Sequence, residues 1–343
     1  MKTILTLLIS ISATVCVAQI GGTTSFALLD LTFNARSAGL GGNFISAKDK
    51  DINLGVANPS LLNASMNNQI SVNQAFQAGR VNYGMVAFGR SLKNNRFISG
   101  HIRYVNYGKM QGREVNGVAT TTFNPFEYIA GVGFGQQLNP RISVGGNLNI
   151  IGSHLETYNS YGASVDLAGT YTNADSNLLV TAMVKNAGVQ FNAYVDTRNP
   201  LPINFQLALS YKVKHAPFRF SILAHHLNKW DLTYNDPSLV ATTDPLTGDL
   251  VEPKRAGFGE KLAQHLAFHL EVLASKSFHL RAGFDYHARQ TLKLDNRPGA
   301  AGLSFGTGLY FKRFSFDYGF TIFSRAGFNH LITLSTNISK MRS

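Results

Sequence analysis

The chain has 343 residues, of which 44% are hydrophobic and 15% charged, with a mean hydropathy of -0.02. Its 32 Gly, 24 Phe and 13 Tyr beside a single Trp argue against a helical protein and favour a large antiparallel β protein with many turns. The formal net charge of +12 is scattered along the chain, which suits either an anionic partner or a wet interior lined by Lys and Arg.

The first residues have the pattern of a signal peptide. A basic start precedes an apolar run from Ile4 to Val15, which is too short to cross a bilayer, and Ala18 is a suitable cleavage position. A lipoprotein anchored through Cys16 is the alternative, but Val15 is bulkier than such cleavage usually tolerates. We therefore assign residues 1–18 to a signal peptide. Its removal leaves an exported chain without cysteine, which excludes disulfides and makes nucleic acid an unsuitable partner.

The segment 19–68 comes next and shows no sustained alternation of polar and apolar residues. It contains the turn-forming stretch Gly39–Gly42 and the sequence Asn58–Leu62, and it is rich in Leu, Phe and Ala. The glycines lack the following Lys-Ser or Lys-Thr of a phosphate-binding loop. We expect this segment to plug the interior of a barrel rather than hang free in the periplasm.

The remaining residues, 69–343, are dominated by strand periodicity. From Phe314 to Ile322, aromatic and aliphatic residues alternate with Ser, Asp, Gly and Thr, so one strand face suits lipid and the other water. The pattern recurs from Ile203 to Val213 and from Phe278 to Arg289. It predicts an all-β fold, a transmembrane antiparallel β-barrel of about fourteen strands. The strands are expected near residues 69–77, 80–91, 96–106, 126–137, 141–153, 160–172, 177–185, 203–213, 217–228, 262–274, 278–290, 300–311, 314–323 and 329–339.

The connections between these strands alternate in length. Those after even-numbered strands are tight, whereas those after odd-numbered strands include the long ones, although three odd connections are also short. Outer-membrane barrels have short periplasmic turns and longer extracellular loops, so the pattern predicts that both chain ends are periplasmic. The predicted extracellular loops are residues 107–125, 186–202, 229–261 and 291–299.

Three stretches resemble a known family: Ala35–Gly42, the run from Asp51 to Leu62, and His226–Leu232. They resemble the PorV/PorQ family of outer-membrane proteins of the type IX secretion system, and the short length and the Asn-Lys-Trp-Asp sequence are nearest to its PorQ branch. The resemblance runs from about Gly21 to the end of the chain. It marks a set of candidate residues for an N-terminal hatch: Arg36, Gly39, Gly41, Gly42, Asn58 and Pro59.

The resemblance implies a FadL-like barrel with an N-terminal hatch, in the outer membrane of a Bacteroidota-like Gram-negative bacterium. It also implies a role without catalysis, the tethering of a PorZ-like surface protein in an attachment complex with PorU-like and PorV-like proteins. Cargo in that system is anchored to lipopolysaccharide, which would be an anionic partner beside the outer-membrane lipid. The alternative is a FadL-like channel for hydrophobic small molecules, but Ser60 stands where FadL relatives commonly have Ala after Asn-Pro.

The loop 229–261 is the strongest candidate for protein recognition. It carries the only Trp of the chain together with both signs of charge, a combination that suits a binding surface. The alternative places Trp230 in the aromatic belt at the membrane interface. The predicted partner-binding residues are Trp230, Asp231, Tyr234, Asp236, Lys254 and Arg255.

Catalytic and metal sites have weaker support. Two of the ten His that fall four residues apart on one strand, such as His265 and His269, lie roughly 13 Å from each other and cannot share an ion. We expect lumen histidines to hydrogen-bond to carboxylates or water instead. Ser304 and His287 fall on neighbouring predicted strands, but their spacing is not that of any known catalytic set. We therefore predict no enzyme, no metal and no cofactor.

Overall fold

The computed structural model describes residues 24–77, 81–233, 242–243, 250–251, 255–293, 299–324 and 327–340. The predicted signal peptide, residues 1–18, lies outside the described residues, as do Tyr234, Asp236 and Lys254 of the predicted binding loop. No helix within the described ranges is long and apolar enough to cross a membrane.

Fourteen of the described strands close into one antiparallel barrel. Each pairs with the next barrel strand along the chain, and the first closes against the last, with Gln69 opposite Asn337. The barrel strands are β1 (Gln69–Gln77), β2 (Asn82–Ser91), β3 (Arg96–Asn106), β6 (Phe126–Gln137), β7 (Ile142–Leu155), β8 (Tyr158–Thr172), β9 (Leu178–Asn192), β10 (Asn204–Lys212), β11 (Phe218–Ala224), β14 (Leu266–Val272), β15 (Phe278–Asp285), β16 (Leu303–Tyr310), β17 (Phe314–Ser324) and β18 (Gly327–Asn337).

The other elements are short. Two hairpins lie in the loops, and they are formed by β4 (Met110–Arg113) with β5 (Ala119–Phe123) and by β12 (Thr242–Thr243) with β13 (Leu250–Val251). The α-helices are α1 (Ala35–Gly39), α2 (Ile52–Ala57), α3 (Phe258–Ala263) and α4 (Tyr286–Leu292). The 3-10 helices are Ala27–Asp30, Pro59–Leu61, Ala64–Met66 and Ile338–Lys340.

The two faces of the barrel wall are opposite in character. Large apolar residues point outward and are exposed, as with Val132 at 61%, whereas charged residues such as Arg281, at 3%, point inward and are buried. A soluble protein has the reverse arrangement, and an apolar outer belt on a closed barrel requires lipid around it. The predicted transmembrane antiparallel β-barrel of outer-membrane type is therefore confirmed.

The tight turns lie at one end of the barrel, which we call the short-turn end, and the longer connections lie at the other, the long-loop end. The turn from β2 to β3 shows why a tight connection forms there. Asn94 and Asn95 have φ angles of 60° and 55°, and two successive left-handed residues are what a type I′ hairpin turn requires. Asn tolerates this conformation better than most side chains do.

All fourteen predicted strands are present, and the differences lie at the long-loop end. The predicted strand 278–290 is wrong beyond Asp285, where α4 begins. The Asp285 side chain accepts a hydrogen bond of 2.9 Å from the Ala288 N–H, which caps the helix and ends the alternating pattern. In addition, β9 continues to Asn192, past a β-bulge opposite Val165 and Leu167, so the predicted loop 186–202 begins later than expected.

Residues 24–68, which we call the N-terminal segment, lie inside the barrel, because they contact strands all around the closed ring. The segment starts at the long-loop end, where the Ser25 hydroxyl donates to the Gln190 side chain at 3.1 Å. It ends at the short-turn end, where Asn68 accepts a bond from Ile338. The described part of the chain therefore begins at the long-loop end, whereas β18 ends at the short-turn end, because the segment traverses the whole lumen before β1 begins.

Candidate functional site: the N-terminal segment and the lumen

Arg36 is the charged centre of the N-terminal segment. It lies in α1, whose first turn is capped by Asn34, since the Asn34 side chain accepts a bond of 2.8 Å from the Ser37 N–H. The Arg36 guanidinium donates to both carboxylate oxygens of Glu271 in β14, at 2.9 and 3.0 Å, and a third nitrogen lies 2.8 Å from Asp49. This bidentate geometry fixes the orientation of α1 against the wall.

The barrel wall continues the network from Glu271. Arg219 of β11 and Arg281 of β15 also reach the Glu271 carboxylate, at 2.6 and 3.2 Å. Arg281 in turn lies 2.7 Å from Asp317 of β17, which accepts a further bond from the hydroxyl of Tyr310 in β16 at 3.0 Å. Buried charges are tolerated only when they are paired. The network therefore ties one face of the segment to five strands of the wall.

A cavity of about 440 Å³ lies beside this network toward the short-turn end. Its lining is mostly charged, and the Lys50 ammonium sits over the Tyr310 ring at 5.5 Å from the ring centroid. A volume of this size fits a small molecule. The charged and aromatic lining residues are Arg36, Asp49, Lys50, Asp51, Lys212, Arg219, Lys276, His279, Tyr310 and Asp317.

The glycines of the segment allow backbone to meet backbone. A Cβ atom on Gly39 would lie 2.8 Å from the Gly306 Cα of β16, which is closer than such atoms approach. Gly41 and Gly42 follow with φ angles of 93° and 103°, a conformation that glycine adopts without steric cost. The Gly39–Gly42 stretch is therefore a turn at the C-terminal end of α1 that is pressed against the wall.

Asn58 and Pro59 hold the other face of the segment. The Asn58 side chain accepts a bond of 3.0 Å from the Ser60 N–H and donates one of 2.9 Å to the Ile45 carbonyl. Pro59 is the first residue of a 3-10 helix, a position that needs no N–H donor. The Ser60 hydroxyl lies 2.6 Å from that of Thr170 in β8. Ser60 therefore has a hydrogen-bond partner on the wall, which an Ala at this position would lack.

The structure thus brings all six predicted segment residues into the lumen. The sequence did not reveal their wall partners. Glu271, Arg281 and Asp317 are identifiable only as charged residues on inward strand faces. Nothing local indicates that Glu271 meets Arg36, which lies 235 residues away in the sequence, or that Arg281 bridges Glu271 and Asp317.

The predicted recognition loop is described only in part. Trp230 is 49% exposed, and its ring centroid lies 5.3 Å from Phe258 of α3 and 5.6 Å from His265. Asp231 lies 2.7 Å from Lys261; burial alone would raise the pKa of Asp231, but bonds from Lys261 and Thr233 hold it at about 2.

Arg255 is exposed. Sequence reasoning missed Phe258, which is 71% exposed beside Trp230. The available signal was a single large apolar residue between two glycines, Gly257 and Gly259, in a polar loop.

Three histidines lie together in a grouping that the sequence analysis did not predict. The rings of His225, His226 and His287 cluster at the long-loop end, with centroids 4.9 to 6.1 Å apart. Burial, followed by the neighbouring His225 and His287 rings, lowers the pKa of His226 to about 3, so this imidazole is neutral. In the part of the chain that the structure describes, no group of three or more His, Cys, Asp or Glu is placed to hold a metal ion.

Two other histidine expectations are also resolved. His269 does not pair with a carboxylate, since its ring nitrogen contacts the Leu40 carbonyl of the N-terminal segment. His287 belongs to α4 and not to a strand beside Ser304, so the considered Ser304 and His287 pair does not arise from adjacent strand positions. The Ser304 hydroxyl is buried without a protein partner among the described residues.

No protein-family model matches the sequence, and no curated protein matches it either. Solved structures do resemble the fold. The toluene transporter TodX of Pseudomonas putida matches with a TM-score of 0.57 at 13% identity, over 90% of this chain and 98% of that one. The toluene transporter TbuX of Ralstonia pickettii matches with a TM-score of 0.53 at 13% identity, over 90% and 99%.

A third similar structure is the monoaromatic hydrocarbon channel CymD, with a TM-score of 0.50 at 12% identity, over 91% of this chain and 97% of that one. At such identities the likeness concerns the fold alone. It confirms the predicted FadL-like barrel of fourteen strands. The finer resemblance to the PorV/PorQ family stays a prediction.

Proposed function

We propose that the chain is an outer-membrane channel for small hydrophobic molecules and that its N-terminal segment is the hatch. The observation that carries this proposal is the path of the segment, which crosses the lumen from the long-loop end to the short-turn end. The fold it shares with toluene transporters supports the same assignment. This was the alternative expectation from the sequence, and it is now the better supported one.

The contacts of the segment suggest how a hatch would work. On one face, α1 is held by the Arg36 network, and on the other, Asn58 and Ser60 hold a 3-10 helix against β8. Between them lies apolar packing, in which Phe33 and Ile52 are buried. A small movement of either face would open a path to the cavity at the short-turn end, while the remaining face keeps the segment inside the barrel.

For orientation, we infer that the short-turn end faces the periplasm and the long loops face the cell exterior, as in outer-membrane barrels in general. The Bacteroidota-like origin rests on the family resemblance of Ala35–Gly42 and His226–Leu232. In this orientation a hydrophobic molecule enters from the long-loop end and leaves past the Arg36 network.

The test is a reversible lock on the hatch. Cysteines are placed at Ser60 and Thr170, whose hydroxyl oxygens lie 2.6 Å apart, in a mature chain without native thiols. Uptake of radiolabelled toluene is measured in cells that lack their own uptake channel. We expect oxidation of the double variant to reduce uptake severalfold and reduction to restore it.

A matched control joins two wall strands and leaves the hatch untouched. Cysteines at Ser210 and Ser221 replace hydroxyl groups 2.8 Å apart on β10 and β11. Oxidation of this pair should leave uptake unchanged. If wild-type cells take up toluene no faster than cells without the barrel, the channel proposal fails. Equal loss of uptake after oxidation of either cysteine pair would contradict the proposal that movement of the hatch controls uptake.

The tethering role is the second candidate, and the exposed pair Trp230 and Phe258 favours it. Exposed aromatics at a loop are typical anchors of protein interfaces. The proposed partners are a PorZ-like surface protein and PorU-like and PorV-like components, near lipopolysaccharide. A pull-down from detergent extracts with the double variant Trp230→Ala/Phe258→Ala tests it. A wild-type barrel that retains no surface protein would exclude this role, whatever the result of the uptake assay.

A further inference from the structure

The short-turn end carries an unbalanced ring of positive charge, which we call the basic rim. It comprises eight exposed basic side chains in or beside the tight turns, and a single acidic residue, Asp175, lies among them. That residue is already paired with Lys214 at 2.6 Å. Among the described residues, the other seven have no ion pair. The rim consists of Arg90, Lys93, Arg96, Arg141, Lys214, Lys276, Lys312 and Arg313.

The long-loop end is different. Among the residues that the structure describes there, the exposed charged side chains are of both signs and nearly balanced, so together they add no net field of one sign. Examples are Lys109, Arg113, Arg198 and Arg255 against Glu114, Glu156, Asp196 and Glu260. Over the described ranges, the exposed positive excess that looks scattered in the sequence is therefore concentrated at one end of the barrel.

The basic rim is continuous with the lipid-facing surface. Lys312 and Arg313 lie between Phe311 and Phe314, two exposed rings whose centroids are 4.6 Å apart. Arg90 and Arg96 lie on the outward face of β2 and β3, next to the exposed Ile98. Long basic side chains with their stems on apolar surface place their charged ends at the level of lipid headgroups.

The distribution around the barrel indicates the kind of partner. Rim residues occur in the turns between β2 and β3, β6 and β7, β10 and β11, β14 and β15, and β16 and β17. A soluble acidic protein would need these charges on one flat side. A ring of charges in which Lys93, Arg141 and Lys312 each adjoin an exposed apolar residue instead matches a surface that surrounds the barrel, which is the bilayer leaflet.

We propose that the basic rim binds the phosphate groups of anionic phospholipids in the leaflet at the short-turn end. Basic residues beside a membrane attract anionic lipid, and the attraction falls off within a Debye length. Lipopolysaccharide, the anionic partner expected from the sequence, belongs to the opposite leaflet in the inferred orientation. In this proposal the excess positive charge therefore binds phospholipid and not lipopolysaccharide.

The experiment uses the full-length mature barrel in vesicles of phosphatidylcholine with phosphatidylglycerol. Lipids retained on the protein after gentle detergent extraction are counted by native mass spectrometry. The rim variant is Arg141→Gln/Lys312→Gln/Arg313→Gln. We expect its preference for phosphatidylglycerol over phosphatidylcholine to fall by roughly tenfold, and high salt to reduce the preference of the wild type.

The matched control removes three exposed charges from the long-loop end, as Lys109→Gln/Arg198→Gln/Arg255→Gln. It changes the net charge equally and should keep the wild-type preference. Both variants are first checked for heat-modifiable mobility in gels, which reports a folded barrel. Equal losses in the two variants, or no preference in the wild type, would overturn the proposal. Loss of a co-purified acidic protein with unchanged lipid preference would overturn it too, in favour of a protein partner.

Discussion

The two ends of the lumen hold the N-terminal segment in different ways. Toward the short-turn end, buried charges such as Arg36 and Glu271 and glycine backbones fix it to the wall. Toward the long-loop end, it is held mainly by aromatic and polar contacts, such as Phe33 against Tyr83 and Ser25 against Gln190. Removing one member of a buried charge pair leaves the other charge without its partner, which is strongly destabilising, whereas each dispersed contact contributes little by itself. The difference makes the short-turn end the place where single substitutions are most damaging.

The largest effect is expected from removing the carboxylate that joins the segment to the wall. Glu271→Gln leaves Arg36, Arg219 and Arg281 facing one another around a neutral amide, and breaking a buried ion pair costs about 3–5 kcal/mol. We expect a clearly lower guanidinium midpoint of the barrel in detergent, followed by heat-modifiable mobility.

The control for Glu271→Gln is a variant that removes a solvent-exposed ion pair. Lys214→Gln removes a contact of 2.6 Å with Asp175, but both side chains are more than half exposed. Exposed pairs contribute little, so the midpoint should stay at the wild-type value. Similar shifts of the guanidinium midpoint in the two variants would contradict the claim that ion pairs in the lumen stabilise the barrel more than ion pairs on its surface.

The next-largest effect is expected from a charge placed on the lipid-facing side of the barrel wall. Val132 lies near the middle of β6 on the outward face, and Val132→Arg places a charge in lipid at a cost of about 2–4 kcal/mol. Ser315→Arg adds the same charge beside the water-accessible cavity and should be tolerated. The yield of folded barrel in vesicles measures both. Equal yields would reverse the assignment of strand faces.

A smaller effect tests the backbone contact between α1 and β16. Gly39→Ala forces a Cβ atom against the Gly306 backbone, and overpacking of this kind costs about 1–3 kcal/mol. Gly100→Ala is the control, because a Cβ on Gly100 meets nothing within 4 Å. Guanidinium midpoints should separate the two variants. A Gly39→Ala barrel as stable as the Gly100→Ala barrel would mean that α1 is free to shift.

The smallest effect is expected at the long-loop end. Asp285→Ala removes the cap of α4, which costs about 1 kcal/mol, and the local loss should be seen as faster amide hydrogen exchange in residues 286–292. Asp196→Ala, an exposed loop change, serves as the control. Unchanged exchange in α4 would show that tertiary contacts, and not the cap, end β15.

The sequence predicts the barrel wall well because apolar and polar residues alternate along the strands, and this alternation can be recognised within each strand alone. It fails where a local cap overrides the period, as at Asp285, and where a bulge lets β9 continue past Asn186. It also treats Asp317 as a hydrated lumen residue, whereas the structure pairs it with Arg281 at 2.7 Å. Such pairings depend on which strands lie across the lumen, and that arrangement is set by closure of the whole ring.

The path of the N-terminal segment has a consequence for the order of assembly. The segment crosses the lumen and β1 then begins at the far end, so the barrel cannot close around empty space and receive the segment afterwards without threading it. The seam between β1 and β18 joins Gln69 to Asn337, the strand pairing most distant in sequence among the described residues, and such pairings form late. The segment is therefore enclosed before the seam shuts. A tag fused ahead of Thr24 would emerge at the long-loop end, where its accessibility on intact cells reports both orientation and completed closure.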